Sequence, residues 1–407
     1  MLARTASQMM QLALVIFVLQ RFHSPTLAGV TVFLAVAPGI AVSPLAGALL
    51  DRHGRVRLIT LDYLVGALTL AAIVALDLAG RLNPAVLLPI VTVSALTFSL
   101  SNSGARSLLP LVVPKHLWDR ANALDSIAYA VTIGAGPALA GALTAWFGSR
   151  VALGTTAILF LAAALSMIRL PEPMVRAPSG PVLAQAWAGV VYVVRRNATL
   201  RGIVLVMSVM NLGMGILVVA IPVMVFDRLH GNAALAGELW AVYGLATVPS
   251  ALIAGRIDSR GRELTVMSVS TLVTAAGVAT LALASNPLVA IGAMLVAGLS
   301  IGPFDVSMFS MRQRRTDPAW FGRAFAVSMG LNWAGQPIGS AVSGPLIQLG
   351  LPLTFLVSAA LIAGSAGLIR LVIPAEHPGT ISAESARQSR RDRPVEESPS
   401  SAEQGAG

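Results

Sequence analysis

Twelve long apolar runs, cut apart by short loops that carry most of the charge, dominate this chain. A helix that crosses a bilayer needs about 20 mostly apolar residues at a rise of 1.5 Å each. On that ruler the runs predict helices near residues 2–21, 26–50, 58–79, 84–109, 120–147 and 149–170, and again near 199–226, 234–257, 264–285, 287–311, 321–349 and 353–373. Of the 407 residues, 56% are hydrophobic and 11% charged, far from the balance of a soluble domain. The expected fold is an all-α membrane protein with twelve transmembrane helices in two six-helix bundles, residues 1–170 and 199–373.

The net charge of +10 raises the question of nucleic acid. Nucleic-acid binding needs a basic face in water, whereas the arginines here sit in short loops between apolar runs, so no nucleic-acid partner is expected. Seventeen Arg or Lys residues fall in one set of alternate loops, and four, Arg21, Arg81, Arg150 and Arg228, fall in the other. The cytoplasmic side of a membrane protein carries the excess, which places the first set, the middle linker and both chain ends in the cytoplasm. The chain has no Cys, which removes disulfides and thiolate metal sites. Its only lysine, Lys115, stands in Val113-Pro114-Lys115-His116, so no Gly-rich phosphate loop ending in Lys-Ser/Thr exists. The five histidines are scattered without metal-ligand spacing, and no nucleophile, base and orienter group together. Neither a cofactor nor catalysis is expected.

One charged loop occurs twice. Gly47-Ala48-Leu49-Leu50-Asp51-Arg52-His53-Gly54-Arg55-Val56-Arg57 returns as Gly255-Arg256-Ile257-Asp258-Ser259-Arg260-Gly261-Arg262, with Asp51, Gly54 and Arg55 matching Asp258, Gly261 and Arg262 at a constant offset of 207. Gly134-Ala135-Gly136-Pro137 with Gly141 is echoed by Gly335-Gln336-Pro337-Ile338-Gly339 with Gly344. Two like-oriented halves imply a pseudo-two-fold axis along the membrane normal and a cavity between them. Asp51 at the end of a helix faces that helix's own negative dipole end, which calls for a positive group opposite.

The pattern Gly-x-x-x-Asp-Arg-x-Gly-Arg-x-Arg resembles the loop between the second and third helices of the major facilitator superfamily. The resemblance implies a cytoplasmic latch in which Asp51, with Gly47, Arg52, Gly54 and Arg55, meets the start of helix eleven near Phe321 and a helix-four arginine, Arg106. The second copy, Asp258, Gly261 and Arg262, has Ala254 and Ser259 in place of Gly47 and Arg52 and forms a weaker latch. Gly134, Gly136, Pro137 and Gly141 resemble part of the helix-five signature of antiporters in this superfamily, with Thr132 where a further glycine is usual. With Arg106-Ser107-Leu108-Leu109-Pro110, these residues make the chain similar to the drug and siderophore exporter branch (enterobactin exporter and macrolide efflux-like). Family members begin with a few more residues, which implies a start upstream of Met1. No small-x-small cleavage site precedes His23-Ser24-Pro25, so a cleaved leader is not expected.

In that fold helices one, four, seven and ten line the cavity. Their polar or soft residues here are Gln8 and Gln11; Thr97, Ser101 and Asn102; Met207, Met210, Asn211 and Met214; and Asp305. A mostly apolar cavity with adaptable methionines and a few amides suits a lipophilic or amphiphilic ligand, although for each residue singly the reading as ordinary helix packing is the stronger. Carboxylates inside a bilayer are costly and so are functional candidates. Asp125 and Asp305 are the candidates for carrying protons, with Arg312 on the Asp305 face and Asp62 placed nearer the Asp51 and Arg106 latch. The opposite reading keeps Asp305 and Asp125 as permanent partners of Arg312 and Arg106. Between the halves, residues 171–198 form a cytoplasmic linker whose apolar residues recur at helical spacing, with Trp187, Tyr192, Arg195 and Arg196 suited to a membrane interface. Residues 374–407 are polar and are expected to be disordered.

The expectation is thus a monomeric secondary active transporter of a bacterial inner membrane, an exporter coupled to protons. A uniporter or proton symporter importing a metabolite is the alternative, and a non-transporting receptor or scaffold the second. The topology is checked by fusing to Gly379 a reporter enzyme that is active only outside the cytoplasm. No signal is expected, and strong activity reverses the orientation.

Overall fold

The computed structural model describes residues 1–114, 117–170, 172, 182–256, 260–317 and 320–375; Asp258, most of the stretch 171–181 and the tail from residue 376 lie outside the described residues. The first half comprises α1 (Leu2–Phe22), α2 (Pro25–His53), α3 (Arg55–Leu78), α4 (Pro84–Val112), α5 (Trp118–Phe147) and α6 (Ser149–Ile168). A short α7 (Val182–Val191) and a π-helical turn, Tyr192–Arg196, follow. The second half comprises α8 (Ala198–Asp227), α9 (Ala233–Ala254), α10 (Glu263–Leu281), α11 (Pro287–Arg314), the pair α12 (Phe321–Asn332) and α13 (Gly335–Leu349), and α14 (Leu351–Val372).

Ten of the described helices are long and apolar enough to cross a membrane. The remaining two crossings of the expected twelve are α5, whose apolar helix is Val131–Phe147, and the α12–α13 pair. Start signals explain the boundaries. The side chains of Ser24, Asn83, Asn197, Asn232 and Asn286 each accept a hydrogen bond from the backbone N–H three residues on, so orphan donors at helix starts are met within the chain. The two halves pack alike: α2 lies on α4 and α3 on α6, as α9 lies on α11 and α10 on α14. The halves touch through α5 on α9 and α2 on α13.

The eleventh helix, expected to be continuous over 321–349, is broken at Trp333-Ala334. Pro337 lacks an N–H and its ring clashes with the carbonyl four residues earlier, that of Trp333. At the break the Trp333 carbonyl accepts the Gln336 N–H at 3.1 Å, and α8 supplies donors to the two carbonyls before it. Ser208 Oγ donates to the Leu331 oxygen at 3.0 Å and Asn211 Nδ2 to the Asn332 oxygen at 2.8 Å. The counterpart Pro137 stays inside an unbroken α5.

Below the break α13 and α8 approach backbone to backbone. A Cβ at Gly335 would collide with the Ser208 carbonyl oxygen, one at Gly339 with that of Leu212, and one at Gly215 with that of Gln336. In hydrocarbon no hydrophobic force distinguishes helix from lipid, so such close approach and interhelical hydrogen bonds hold helices together. Gly335→Leu should therefore destabilise the folded protein by about 3 kcal/mol or more, and Asn211→Leu by about 1–2 kcal/mol. Thermal unfolding in detergent measures both; a Gly335→Leu protein as stable as the parent would refute the packing.

Candidate functional site

The duplicated loop shows how the sequence builds its turn. Gly54, at φ 96°, closes α2 and opens α3, a backbone conformation that costs an ordinary residue but not glycine. The space a side chain would need there belongs to Glu172, because a Cβ on Gly54 would lie 2.9 Å from its carboxylate. Glu172 accepts hydrogen bonds from the backbone N–H groups of Arg55, Val56 and Arg57 at 2.6, 3.3 and 3.2 Å. A carboxylate at a helix start satisfies orphan donors and opposes the positive dipole end. Glu172, a few residues beyond the end of α6 at Ile168, is thus anchored to the start of α3.

The second half meets the same need differently. Gly261 again has positive φ, 73°, and Glu263 is the first residue of α10, 3% exposed and ion-paired with Arg314 at the end of α11. At the offset of 207 Glu263 stands where the first half has Val56. Each half therefore sets a carboxylate at the start of its third crossing. The side chains of Asp51, Arg106, Asn102 and Asp125, and the surroundings of Gly47, lie outside the described ones, and Arg52 and Arg55 lie at the surface or near it.

At the opposite end Asp77, 4% exposed, is held by Arg21 Nε and Arg150 Nε, each at 2.6 Å, joining α1, α3 and α6. Arg228 donates to the Ala282 carbonyl at 2.7 Å. Three of the four arginines on this side therefore have structural work, which accounts for their departure from the charge asymmetry.

Asp62 of α3 and Asp305 of α11 lie well inside their helices and make no ion pair among the described residues. Asp62 is 7% exposed and lies seven residues into α3, about 10 Å along the helix, deeper than its expected position one turn in, because α3 begins at Arg55. Its polar neighbours are Thr97 and Ser101 of α4, whose hydroxyls donate to the Ser94 and Phe98 carbonyls of their own helix, and no cation stands within ion-pair distance of it among the described residues. Thr97 and Ser101, expected on the cavity wall, thus share a site with Asp62.

Asp305 is partly exposed on α11, and Arg312, 0% exposed, is the cation whose field reaches it. No direct Asp305–Arg312 ion pair forms among the described residues. Arg312 instead sits in a cage made by α12 and by Phe309 of its own helix. Its guanidinium lies 5.6 Å from the Phe309 ring centre and 5.4 Å from that of Phe325, Nη1 donates to the Met329 sulfur at 2.6 Å, and with the Asn332 amide oxygen turned toward it Nη2 donates there at 2.8 Å. Cation–π and amide contacts of this kind compensate a buried guanidinium, although its Nε has no partner. Asn332 thereby joins α11 to the break, its own carbonyl being held by Asn211.

The remaining expected cavity residues divide. Gln8, Gln11 and Met214 are partly exposed; Met207, Met210 and Asn211 are buried at 9%, 4% and 5% exposure. Gly134 and Gly141 of α5 lie where the halves meet, while Gly136 lies against α1. A Cβ at Gly141 would come within 2.5 Å of the Ala233 oxygen, one at Gly134 within 3.1 Å of Leu245, and one at Gly136 would collide with Gln8 of α1, while a Cβ at Gly237 would lie 2.5 Å from the Pro137 oxygen. Sequence reasoning missed Glu172, Asn332, Phe325 and Met329. Pro171-Glu172-Pro173 reads as a helix stop, and the cage depends on a helix break visible only in Pro337.

Comparison with known proteins agrees with this architecture. The chain is 38% identical over 375 residues, 88% of its length and 89% of the other's, to an uncharacterized MFS-type transporter, y4rN, of Sinorhizobium fredii. Its fold matches the crystal structures of the nucleoside transporter NupG (TM-score 0.69, 14% identity, 92% of this chain and 97% of that one) and of a D-xylose-proton symporter (TM-score 0.68, 13% identity, 92% and 96%). The sequence model of the Major Facilitator Superfamily matches residues 1–327 and 203–401, and the chain belongs to that superfamily of transporters.

Proposed function

We propose that the protein is a proton-coupled exporter of a small lipophilic or amphiphilic compound, working by alternating access as a monomer in a bacterial inner membrane with both termini cytoplasmic. The observation that carries the coupling is the pair of interior carboxylates, Asp62 beside Thr97 and Ser101, and Asp305 within the field of Arg312. A carboxylate in the membrane without an ion-paired cation is costly when charged, so it exchanges protons with whatever water reaches it. Loading at one face and unloading at the other converts a proton gradient into directed motion of the halves. The partly exposed Gln8, Gln11 and Met214, with Thr97 and Ser101, offer a substrate soft apolar contact and a few hydrogen bonds.

The latch belongs to the same reading. Asp51 and Arg106 close the cytoplasmic side against the start of α12, with Gly47 permitting the approach and Arg52 and Arg55 flanking it. Asp258, Gly261 and Arg262 form the weaker copy. Asp125 is a third carboxylate on the proton route; Gly134, Pro137 and Gly141 set the α5–α9 contact that must open for release, and Gly136 seats α5 on α1. An importer running protons and a metabolite in the same direction uses the same parts, and the direction of coupled flux separates the two.

The test uses inside-out vesicles with an acidic lumen and a panel of lipophilic cations and neutral amphiphiles. Added compound should drive protons out of vesicles carrying the parent protein. Asp62→Asn and Asp305→Asn should each abolish that release with little change in folded protein, and Asp51→Asn should slow it without abolishing binding. If both interior variants couple like the parent, neither carboxylate carries the proton. If compound and protons move the same way, the protein imports.

A further inference from the structure

The π-helical turn Tyr192–Arg196 has two faces of opposite character. Inward, Tyr192 (8% exposed) and Val193 (0%) pack with Leu200 and Ala324. The Tyr192 ring stacks on that of Trp320 at 4.8 Å and 6°, and its hydroxyl accepts the Asp317 N–H at 3.2 Å. Asn197 completes the joint: it caps α8 through the Leu200 N–H at 2.9 Å and donates to the Arg315 carbonyl at 2.8 Å. The turn is therefore fastened to the residues that lead from α11 into α12.

Outward, Val194, Arg195 and Arg196 are exposed in succession, Arg201 is exposed one turn beyond with Nη1 on the Val194 carbonyl at 3.1 Å, and Trp187 is 67% exposed on α7. Three exposed guanidinium groups and an exposed indole, carried on the consecutive elements α7, the turn and the start of α8, are complementary to a phosphate headgroup above acyl chains. The five-residue turn matters because it sets Arg195 and Arg196 outward while Tyr192 stays buried.

We propose that Arg195, Arg196 and Arg201, with Trp187, form a binding site for the headgroup of an anionic phospholipid, and that lipid bound there steadies α12 through the Tyr192–Trp320 stack. The proposal goes beyond the transport reading and does not need it, because its measurement involves no substrate. Each cation near an anionic surface strengthens attachment by about 1 kcal/mol, so losing Arg195 and Arg196 weakens headgroup binding by roughly 25-fold.

The experiment uses the full chain in detergent, titrated with phosphatidylglycerol or with phosphatidylcholine, reading bound lipid by native mass spectrometry and thermal unfolding in parallel. Phosphatidylglycerol, and not phosphatidylcholine, should bind and raise the unfolding midpoint of the parent. Arg195→Gln with Arg196→Gln should lose both effects, the Lys pair should retain them, and Arg81→Gln at the far end should behave as the parent. Trp320→Leu should keep the lipid and lose the added stability. Equal binding of both lipids, or an undiminished phosphatidylglycerol effect in the Gln pair, overturns the site; an undiminished thermal shift in Trp320→Leu overturns the link to α12.

Discussion

The structure depends on helices meeting at distances that only glycine permits. In a bilayer, apolar side chains gain nothing by leaving lipid for protein, so helix association rests on packing and on hydrogen bonds between helices. This chain uses both at the same places. Gly335, Gly339 and Gly215 bring α13 onto the backbone of α8, and Ser340 Oγ and Ser358 Oγ donate to the Gly215 and Gly213 carbonyls at 2.9 and 2.8 Å from the two helices that flank α8. The break in the eleventh crossing becomes affordable because Ser208 and Asn211 stand where its carbonyls open.

The same economy shapes the contacts between halves. Gly29 and Gly344 let α2 and α13 touch, with Gln348 donating to Thr26 at 3.2 Å, and Gly141 and Gly237 do so for α5 and α9. These contacts gather at the end of the bundle away from the duplicated loops. Nearer the other end, a Cβ at Gly330 would lie 3.3 Å from Ser43 Oγ, linking α2 to the separate segment α12. Small residues joined by few side-chain bonds make an interface that can part and reform, which a rocking mechanism requires.

Much of this was legible in the sequence. Apolar runs placed most helix boundaries within a few residues, because Ser24, Asn232 and Asn286 mark starts and Gly54, Gly148 and Gly350 mark turns. The offset of 207 showed two halves. The helix break was not legible, since Pro137 and Pro337 sit in similar glycine-rich contexts and only the partner helix decides which one interrupts its helix. Glu172 escaped notice because its partners are backbone N–H groups 115–117 residues away, which no local pattern encodes. Asn211, read as a possible ligand group, spends its amide on the Asn332 carbonyl.

The central claim, that the halves open alternately at their two ends, is tested most directly by paired spin-label distances in this cysteine-free chain. One pair, Thr26→Cys with Gln348→Cys, spans the halves at one end; the other, Arg57→Cys with Gln313→Cys, spans them at the loop end. Across a titration from acid to alkaline pH the account predicts two populations in each pair, with one distance lengthening as the other shortens. Distances that lengthen together, or two single populations indifferent to pH, would contradict it.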